Sequence, residues 1–371
     1  MTEENMRKMN LIIVGALPPP RGGVTTHAER LIPYLEEAGI GYVVWDYSRQ
    51  TKAGKHVVSL CRQPLEVLRS LFRLKGVKVS HCLISSVSFV RMLFCFFLKI
   101  AGIRVTITFV GSPKEMIGKS SLKQFYILTL ARLARHVIAV NRDFRKILVE
   151  QGIPENKISI IPAFIPSRDN DFITRPIPRD IVEFCQGGKP LILGYGYGPL
   201  FHANEDLYGL DLIVGLAKKL KADFTRARFV VVIPEITNEK YFEQLKNDIR
   251  QSNIDSSFRF AIGNHLAFVP FLQYADLFIR TTNTDGDALT LREALYYGVP
   301  SVASDVCYRP ESTILFRSRD ITDLYRVVRQ TLNNDASVCN KTEASKVNNA
   351  NLFIDIFKRI AETGEVSGEK I

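Results

Sequence analysis

Asp285 and Glu293, two acidic residues eight positions apart, are the residues of this sequence best placed to bind a polar ligand. The predicted elements put Asp285 in a loop and Glu293 about two turns inside the following helix, so their carboxylates can contact different parts of one extended molecule. Carboxylates suit sugar hydroxyls because charge-assisted hydrogen bonds are stronger than neutral ones. Between them, the amides of Ala288, Leu289 and Thr290 fall at a helix N-terminus, where a pyrophosphate would bind. The eight-residue spacing alone is weak evidence for a ligand site, since carboxylates at such positions on a helix usually face water.

A glycine pair, Gly22 and Gly23, follows the first predicted strand and a run of three prolines, and leads into a helix. Glycines there let helix N-terminal amides approach a phosphate or a sugar without a Cβ clash, with a plain tight turn as the structural alternative. The prolines replace the GxGxxG spacing of a nicotinamide-binding turn. A second glycine-rich run, residues 194–198, could likewise approach a phosphate.

Short Val- and Ile-rich runs, each followed by an amphipathic stretch, predict an α/β fold of βαβ units with parallel sheets. The chain has 371 residues, too many for one ordinary core. Five prolines and a Gly-Gly pair interrupt the pattern over 162–190. We therefore predict Rossmann-like domains over 1–165 and 166–346, then a helix and tail over 347–371 that pack back on the first domain. The predicted strands are residues 11–14, 43–45, 105–109, 136–140, 158–161, 191–193, 229–233, 258–261, 277–279 and 301–303.

The composition excludes several classes of protein. With 46% hydrophobic and 23% charged residues the chain is neither disordered nor fibrous. Its six cysteines are scattered, which disfavours a zinc site and a redox motif. The N-terminus lacks the pattern of a signal peptide, and no apolar run reaches the ~20 residues of a membrane span. These features predict a cytoplasmic protein.

The positive charge is confined to the first half of the chain. Residues 1–165 hold 24 Lys and Arg against 11 Asp and Glu, whereas the rest hold 25 against 27. This asymmetry predicts an anionic partner such as a membrane surface, with a generic basic surface as the alternative. No recognition motif supports nucleic acid. An amphipathic stretch over 62–78 could form an interfacial helix, or could pack its apolar face in a core. Its cations are Arg62, Arg69, Arg73, Lys75 and Lys78.

Residues 284–305 resemble the donor-site signature of family-4 retaining glycosyltransferases of the two-domain GT-B fold. In that signature an acidic residue, seven others and a glutamate are followed by a Gly-x-Pro turn and a strand. Residues 22–31, 140–148 with 158–162, 208–213 and 274–279 resemble further landmarks of the family, so the resemblance covers roughly residues 10–320. It implies two Rossmann-like domains that face each other across a cleft.

The resemblance also implies roles for individual residues. Glu293 would hold the ribose hydroxyls of a nucleotide, and Asp285 would be the catalytic residue that contacts the donor sugar near the reacting centre. The backbone from Gly286 and Asp287 to Thr290 would hold sugar and phosphate. Gly23, with Gly22 before it, would lie against the donor diphosphate.

Three positions depart from the family pattern. The first acidic residue is Asp285 rather than the more frequent glutamate, and Tyr208 replaces a lysine expected beside the leaving diphosphate. Arg280 or Arg292 could supply the missing cation. Gly111 stands where many relatives carry a histidine on the acceptor side. His27 is a candidate replacement, although a lone histidine on a helix is more often structural.

The sequence thus predicts transfer of a sugar from a nucleoside diphosphate sugar to the hydroxyl of a saccharide or lipid-linked saccharide, and the family resemblance implies retention at the anomeric carbon. The setting would be cell-surface polysaccharide or glycoconjugate assembly at the inner face of the membrane, with no cofactor beyond the sugar-nucleotide co-substrate. Asp285-Gly-Asp287 also fits an Asp-x-Asp metal motif, but the surrounding helix and Gly-x-Pro turn favour a metal-independent site. The alternatives are a non-catalytic sugar-nucleotide-binding scaffold and a sugar-nucleotide epimerase.

Overall fold

The computed structural model describes residues 10–18, 22–48, 56–60, 69, 77–84, 88–110, 120–167, 177–333 and 348–363. The chain separates into two compact units, unit 1 (Met1–Ile165 with Asn348–Ile371) and unit 2 (Pro166–Val347). Each unit holds a parallel sheet with helices packed against it. The predicted α/β fold with two parallel sheets is therefore confirmed.

The sheet of unit 1 has seven parallel strands in the order β3-β2-β1-β4-β5-β6-β7. Its Val- and Ile-rich strands are buried on both faces, as expected where helices cover both sides of a parallel sheet. The strands are β1 (Asn10–Gly15), β2 (Gly41–Asp46), β3 (Val57–Ser59), β4 (Val77–Ile84), β5 (Arg104–Phe109), β6 (His136–Ala139) and β7 (Ile158–Ile160). The helices are α1 (Gly23–Glu37), α2 (Phe89–Ile100), α3 (Ser121–Leu133), α4 (Arg142–Glu150) and the C-terminal α10 (Asn349–Thr363).

Strand β4, at the centre of this sheet, is missing from the sequence-based assignment. Its Ser80 and His81 are fully buried polar residues. Thr106 on β5 contacts both residues, because its hydroxyl donates to the backbone carbonyl of Ser80 (3.0 Å) and lies 2.9 Å from Nδ1 of His81. Lys78 lies in this strand, so assigning it to an interfacial helix was wrong. Apart from Arg69 and Lys78, that predicted helix lies outside the described residues.

Helix α10 belongs to the core of unit 1. Phe353, Phe357 and Ile360 are fully buried among strands β1 and β4 and helix α1. Arg104 at the start of β5 donates to the carbonyls of Ile360 (2.5 Å) and Ala361 (3.0 Å), which satisfies backbone acceptors at the end of the helix. The last helix of the chain thus completes the first unit.

The main sheet of unit 2 has six parallel strands in the order β12-β11-β8-β13-β14-β15, and β9 and β10 form a short antiparallel pair. The strands are β8 (Leu191–Tyr195), β9 (Phe201–His202), β10 (Glu205–Asp206), β11 (Arg228–Ile233), β12 (Phe258–Ile262), β13 (Leu277–Arg280), β14 (Ser301–Ser304) and β15 (Ile314–Phe316). The helices are α5 (Arg179–Gln186), α6 (Leu210–Leu220), α7 (Glu239–Gln251), α8 (Leu289–Tyr296) and α9 (Ile321–Asn333). No helix in the described ranges has the length and apolarity needed to cross a membrane.

Candidate functional site

The loop that joins β13 to α8 lies at the point where the strand order of unit 2 reverses. Chain order runs outward from β8 through β11 on one side and through β13 on the other. Open parallel sheets bind ligands beside the carboxyl ends of the strands at such a switch point. Asp285, Gly286, Asp287 and Ala288 occupy this loop, and Glu293 lies in the helix that follows it.

The Asp285 carboxylate accepts hydrogen bonds from five protein donors. Its Oδ2 lies 3.0 Å from Nε of Arg280, 2.9 Å from Nη1 of Arg309 and 3.2 Å from the Thr282 hydroxyl. Its Oδ1 lies 3.2 Å from the Gly286 amide and 3.4 Å from Nη2 of Arg280. A carboxylate offers about four lone-pair sites, so these donors leave little capacity for a sugar hydroxyl. Asp285 is therefore placed as the counter-ion of two guanidinium groups.

The two arginines also determine the protonation state of Asp285. Burial alone would raise the pKa of this carboxyl, whose side chain is only 11% exposed. The positive charges of Arg280 and Arg309 and their hydrogen bonds outweigh that effect and hold the pKa far below its usual range. The carboxylate stays ionised wherever the protein is folded near neutral pH.

Arg309 is a site residue that the sequence analysis missed. Its side chain is 2% exposed, and its Nε donates to the Ser304 carbonyl at 3.0 Å. Its Nη2 lies 3.3 Å from the Thr282 hydroxyl and 3.2 Å from the Ser304 hydroxyl. Arg309 follows β14, which pairs with β13, so the strand order alone places it beside Asp285. The available signal in the sequence was that Arg309 is a basic residue shortly after β14, the strand next to β13.

Arg280 is the arginine of this cluster with a donor to spare. Its Nε and Nη2 bind Asp285, and its Cζ lies 5.5 Å from the ring centroid of Tyr208. Within the described ranges Nη1 of Arg280 makes no hydrogen bond. Arg280 thus lies beside the position where the family resemblance leads one to expect a lysine.

Arg292, the other candidate cation, has a different partner. Its Nε lies 2.5 Å from Oδ1 of Asp287, whose side chain is 4% exposed. Both carboxylates of the Asp-Gly-Asp sequence are thus engaged by arginines. In the part of the chain that the structure describes, no three His, Cys, Asp or Glu side chains come together as a metal ion would require.

Gly209 explains why the landmark at 208–213 lies against this loop. It has a left-handed backbone (φ 64°), and a Cβ there would come 2.3 Å from the Thr281 carbonyl oxygen, so only glycine fits. The Thr281 hydroxyl in turn donates to the Tyr208 carbonyl at 2.7 Å. Backbone contact between the two segments fixes Tyr208 beside Arg280.

The N-terminal half of α8 carries polar side chains that are buried in unit 2. Ala288, the N-cap residue, offers no side-chain acceptor to the first turn. The Thr290 hydroxyl is buried, and it has no hydrogen-bond partner among the described residues. Glu293 is 3% exposed and close enough to Tyr195 at the end of β8 to help burial raise the pKa of that phenol. This end of the helix fits a ligand that accepts hydrogen bonds from backbone amides and donates hydrogen bonds from its own hydroxyl groups.

The glycine-rich run at 194–198 is closely packed against other parts of unit 2. A Cβ on Gly194 would lie 2.8 Å from Cδ1 of Ile213, and one on Gly196 would lie 3.1 Å from Cβ of Tyr208. At Gly198 it would lie 2.5 Å from the Glu235 carbonyl oxygen. Neighbouring protein atoms fill the space in front of all three glycines, so this run serves close packing.

In unit 1 the glycine pair lies at the start of helix α1, where Gly22 is the N-cap and Gly23 is the first helical residue. Gly22 caps the helix in an extended conformation (φ −160°) that any residue adopts, and its amide donates to the Thr25 hydroxyl at 2.9 Å. A Cβ on Gly22 or on Gly23 would meet no atom within 4 Å. Neither backbone strain nor packing in the described residues requires these glycines, which leaves approach by a ligand as a reason for them.

His27 is not an acceptor-side residue. Its side chain is 1% exposed, its Nδ1 lies 2.7 Å from the Ala163 carbonyl oxygen, and its ring packs edge-on against Phe353 at 4.8 Å. Burial lowers the pKa of His27 to about 4, so the ring is a neutral part of the core. Gly111, the other acceptor-side candidate, lies outside the described residues.

Comparison with known proteins agrees with this geometry. Residues 202–350 match the family described as Glycosyl transferases group 1. No curated protein sequence matches the chain.

Solved structures share the fold at low sequence identity. A glycosyltransferase from Rickettsia africae has a TM-score of 0.69 at 13% identity and covers 96% of this chain and 99% of its own. Anabaena Alr3699/HepE in complex with UDP and glucose has a TM-score of 0.63 at 14% identity, with coverage of 96% and 99%. A candidate UDP-N-acetylglucosamine 2-epimerase from Listeria monocytogenes has a TM-score of 0.66 at 13% identity, with coverage of 98% and 99%. The chain therefore has the GT-B glycosyltransferase fold, and its residues 202–350, nearly all of them in unit 2, match glycosyl transferases group 1.

Proposed function

We propose that this protein transfers a sugar from a nucleoside diphosphate sugar to an acceptor hydroxyl, with retention at the anomeric carbon. The observation that carries the proposal is the buried Arg280–Asp285–Arg309 cluster, which holds an unused guanidinium donor beside the N-terminal end of α8. The match to glycosyl transferases group 1 over 202–350 supports it. Retention follows from the resemblance to family-4 enzymes.

In this proposal the protein stabilises the leaving diphosphate by fixed charge and oriented amides. Arg280 contacts the diphosphate through Nη1, and the first-turn amides of α8 bind the same group. Asp285 is a positioning residue, because its contacts hold Arg280 and Arg309 and leave no open oxygen for the sugar. Glu293 accepts hydrogen bonds from the ribose hydroxyls. The Arg280–Asp285–Arg309 cluster carries a net charge of +1, which attracts the anionic diphosphate, and no metal ion takes part in the proposed reaction.

The acceptor in this proposal is a saccharide or a lipid-linked saccharide, and the reaction serves the assembly of a cell-surface polysaccharide or glycoconjugate. Acceptor recognition falls to unit 1, which carries the excess of basic residues. UDP-sugars are the first donors to test, because the Anabaena protein of the same fold binds UDP and glucose.

Donor binding is expected to raise the thermal stability of the protein, and Glu293→Gln is expected to remove at least about half of that gain. A ligand that binds only the folded state adds about 2.7 kcal/mol at about 100 times its Kd. Loss of a charged acceptor for the ribose hydroxyls should weaken binding on the order of tenfold or more. The measurement is a thermal-shift panel with UDP-, GDP-, ADP- and TDP-sugars, and Glu311→Gln, at an exposed glutamate of the same unit, is the matched control.

Product analysis on the same samples separates the rival functions. Transfer to an added acceptor supports the proposal, whereas donor binding without any turnover would identify a scaffold. Interconversion of the free sugar nucleotide without an acceptor would identify an epimerase. A donor shift that Glu293→Gln leaves intact would place the nucleotide elsewhere.

Gly23→Ala should preserve stability and impair transfer. The new methyl group meets no protein atom within 4 Å, so the free energy of unfolding should stay within about 0.5 kcal/mol of wild type. If the glycine amides approach a ligand of the reaction, the methyl group should lower kcat/KM on the order of tenfold or more. Gly209→Ala is the contrasting variant, because its Cβ clashes with the Thr281 carbonyl and should destabilise unit 2 directly. Wild-type kcat/KM in Gly23→Ala would show that the pair forms only a turn.

A further inference from the structure

Helices α2 and α3 of unit 1 present an exposed apolar face, which we call the α2–α3 face. It holds seven of the twelve large apolar side chains that are exposed in the described ranges. On each helix their spacing of three or four residues places them on one side. They are Phe89, Leu93, Phe96, Phe97 and Ile100 on α2, and Leu122 and Phe125 on α3, with exposures from 40% to 78%. A patch of this kind on a folded protein marks a contact with a partner or a membrane.

The opposite sides of both helices are fixed in the core of unit 1. Cys95 and Leu98 of α2 and Tyr126, Ile127 and Leu130 of α3 are buried in one cluster with strands β4 and β5. The two helices that carry the exposed apolar face are thus held in place by their buried sides. With 12 residues, α2 is about 18 Å long and too short to cross a bilayer, so it would lie flat at an interface.

A basic cavity of about 500 Å³ opens at one end of the same two helices. It lies where α2 and α3 end and where β5 and β6 begin, at the amino edge of the sheet. No carboxylate is among its described lining residues. The lining cations are Lys99, Arg104, Arg132, Arg135 and Lys157.

The cations of this cavity are crowded. Burial, together with the charges of Lys99 and Arg135, lowers the pKa of Lys157 to about 8. A bound anion would relieve this repulsion. Substrates of parallel sheets bind at the carboxyl edge, where Gly22 follows β1, whereas this cavity lies at the opposite edge. The cavity is therefore separate from the transfer site.

The cavity and the α2–α3 face are continuous along both helices. Lys99 lines the cavity, and Ile100 beside it is exposed on the face. On α3, Leu122, Phe125 and Arg132 are spaced by three and seven residues and share one side of the helix. Around these helices, residues 51–135 hold 15 Lys and Arg against 2 Asp and Glu. Apolar and cationic groups thus form one surface.

We propose that the α2–α3 face docks unit 1 on an anionic lipid bilayer, with its apolar side chains in the interface and the basic cavity around a lipid phosphate. Charge complementarity selects this occupant, because cytoplasmic leaflets are negative and attract basic residues that lie near their surface. The proposal goes beyond sugar transfer and does not depend on it.

The test is co-sedimentation of the full chain with phosphatidylcholine vesicles, with and without phosphatidylglycerol. The double variant Phe97→Ser, Ile100→Ser should weaken binding to vesicles on the order of tenfold, since both side chains are lost from the interface. The double variant Lys99→Gln, Arg132→Gln should weaken binding by a similar factor only when phosphatidylglycerol is present. Matched controls in unit 2 are Ile262→Ser with Leu315→Ser, and Lys218→Gln with Lys240→Gln, all at exposed positions.

Three results would overturn the proposal. The wild-type protein could stay in the supernatant with both kinds of vesicle. The Phe97→Ser, Ile100→Ser variant could sediment as fully as the unit 2 controls, which would show that binding to vesicles does not need the α2–α3 face. A wild-type dimer in sedimentation velocity that this variant dissolves, without vesicle binding, would identify a second copy of the chain as the occupant.

Discussion

Asp285→Asn is expected to lower the free energy of unfolding of unit 2 by about 3 to 5 kcal/mol, the usual effect of removing one partner from a buried ion cluster. The substitution leaves the guanidinium groups of Arg280 and Arg309 close together and buried, with no counter-charge. Sugar transfer should fall on the order of 100-fold or more, because Arg280 loses the carboxylate that orients it. Urea unfolding followed by circular dichroism measures the stability, and a transfer assay measures kcat.

The single tryptophan makes the assignment to unit 2 testable. Trp45 is buried in unit 1, so its fluorescence follows that unit, whereas circular dichroism follows both. The Trp45 transition should keep its midpoint in Asp285→Asn while the dichroism transition shifts. Glu183→Gln is the control, since the Arg179–Glu183 pair is exposed and should contribute no more than about 0.5 kcal/mol. An Asp285→Asn protein as stable as Glu183→Gln would contradict a counter-ion role for Asp285.

The donor-site signature could be recognised in the sequence, but the structural role of its first acidic residue, Asp285, could not. Spacing places Asp285 before a helix, and the structure adds the five donors that occupy its oxygens. Three of them come from Arg280 and Arg309, and the latter is 24 residues away along the chain. Long-range ion pairs have no local pattern, and only the adjacency of β13 and β14 brings these residues together.

Buried polar residues limited the prediction of the fold. Most strands of both sheets are apolar runs and were found as such, whereas β4 carries Ser80 and His81 at fully buried positions. Thr106, which contacts the His81 ring and the backbone carbonyl of Ser80, lies on the neighbouring strand, so the sequence of β4 alone does not indicate that His81 has a partner. The close packing of the glycines at 194–198 was likewise not visible in the sequence, because the atoms that lie before them belong to residues distant along the chain.

Mild acid is expected to destabilise unit 1, which holds three buried histidines: His27, His81 and His136. Burial lowers the pKa of His27 and of His136 to about 4, and that of His81 well below its usual value. The unfolded chain binds these protons near pH 6.5, so between about pH 6.5 and 4 it holds more protons than the folded chain. The stabilisation that these neutral histidines provide is fully present above that pH window and is lost as the pH falls through it. Between about pH 7 and 5, the lowered pKa values of His27 and His136 should each reduce the free energy of unfolding by about 2 kcal/mol. His81 should reduce it further in the same direction.

Urea unfolding of the wild type at neutral and mildly acid pH, followed by Trp45 fluorescence, measures this loss. His136→Gln should reduce it by about 2 kcal/mol, because the substituted side chain has no proton to gain. His56→Gln changes an exposed histidine of the same unit and should retain the wild-type loss. Asp285 remains ionised throughout this range, since its pKa is held far below it, so the arginine cluster of unit 2 keeps its charge balance. Equal acid sensitivity of His136→Gln and wild type would mean that the buried ring accepts a proton within the folded unit.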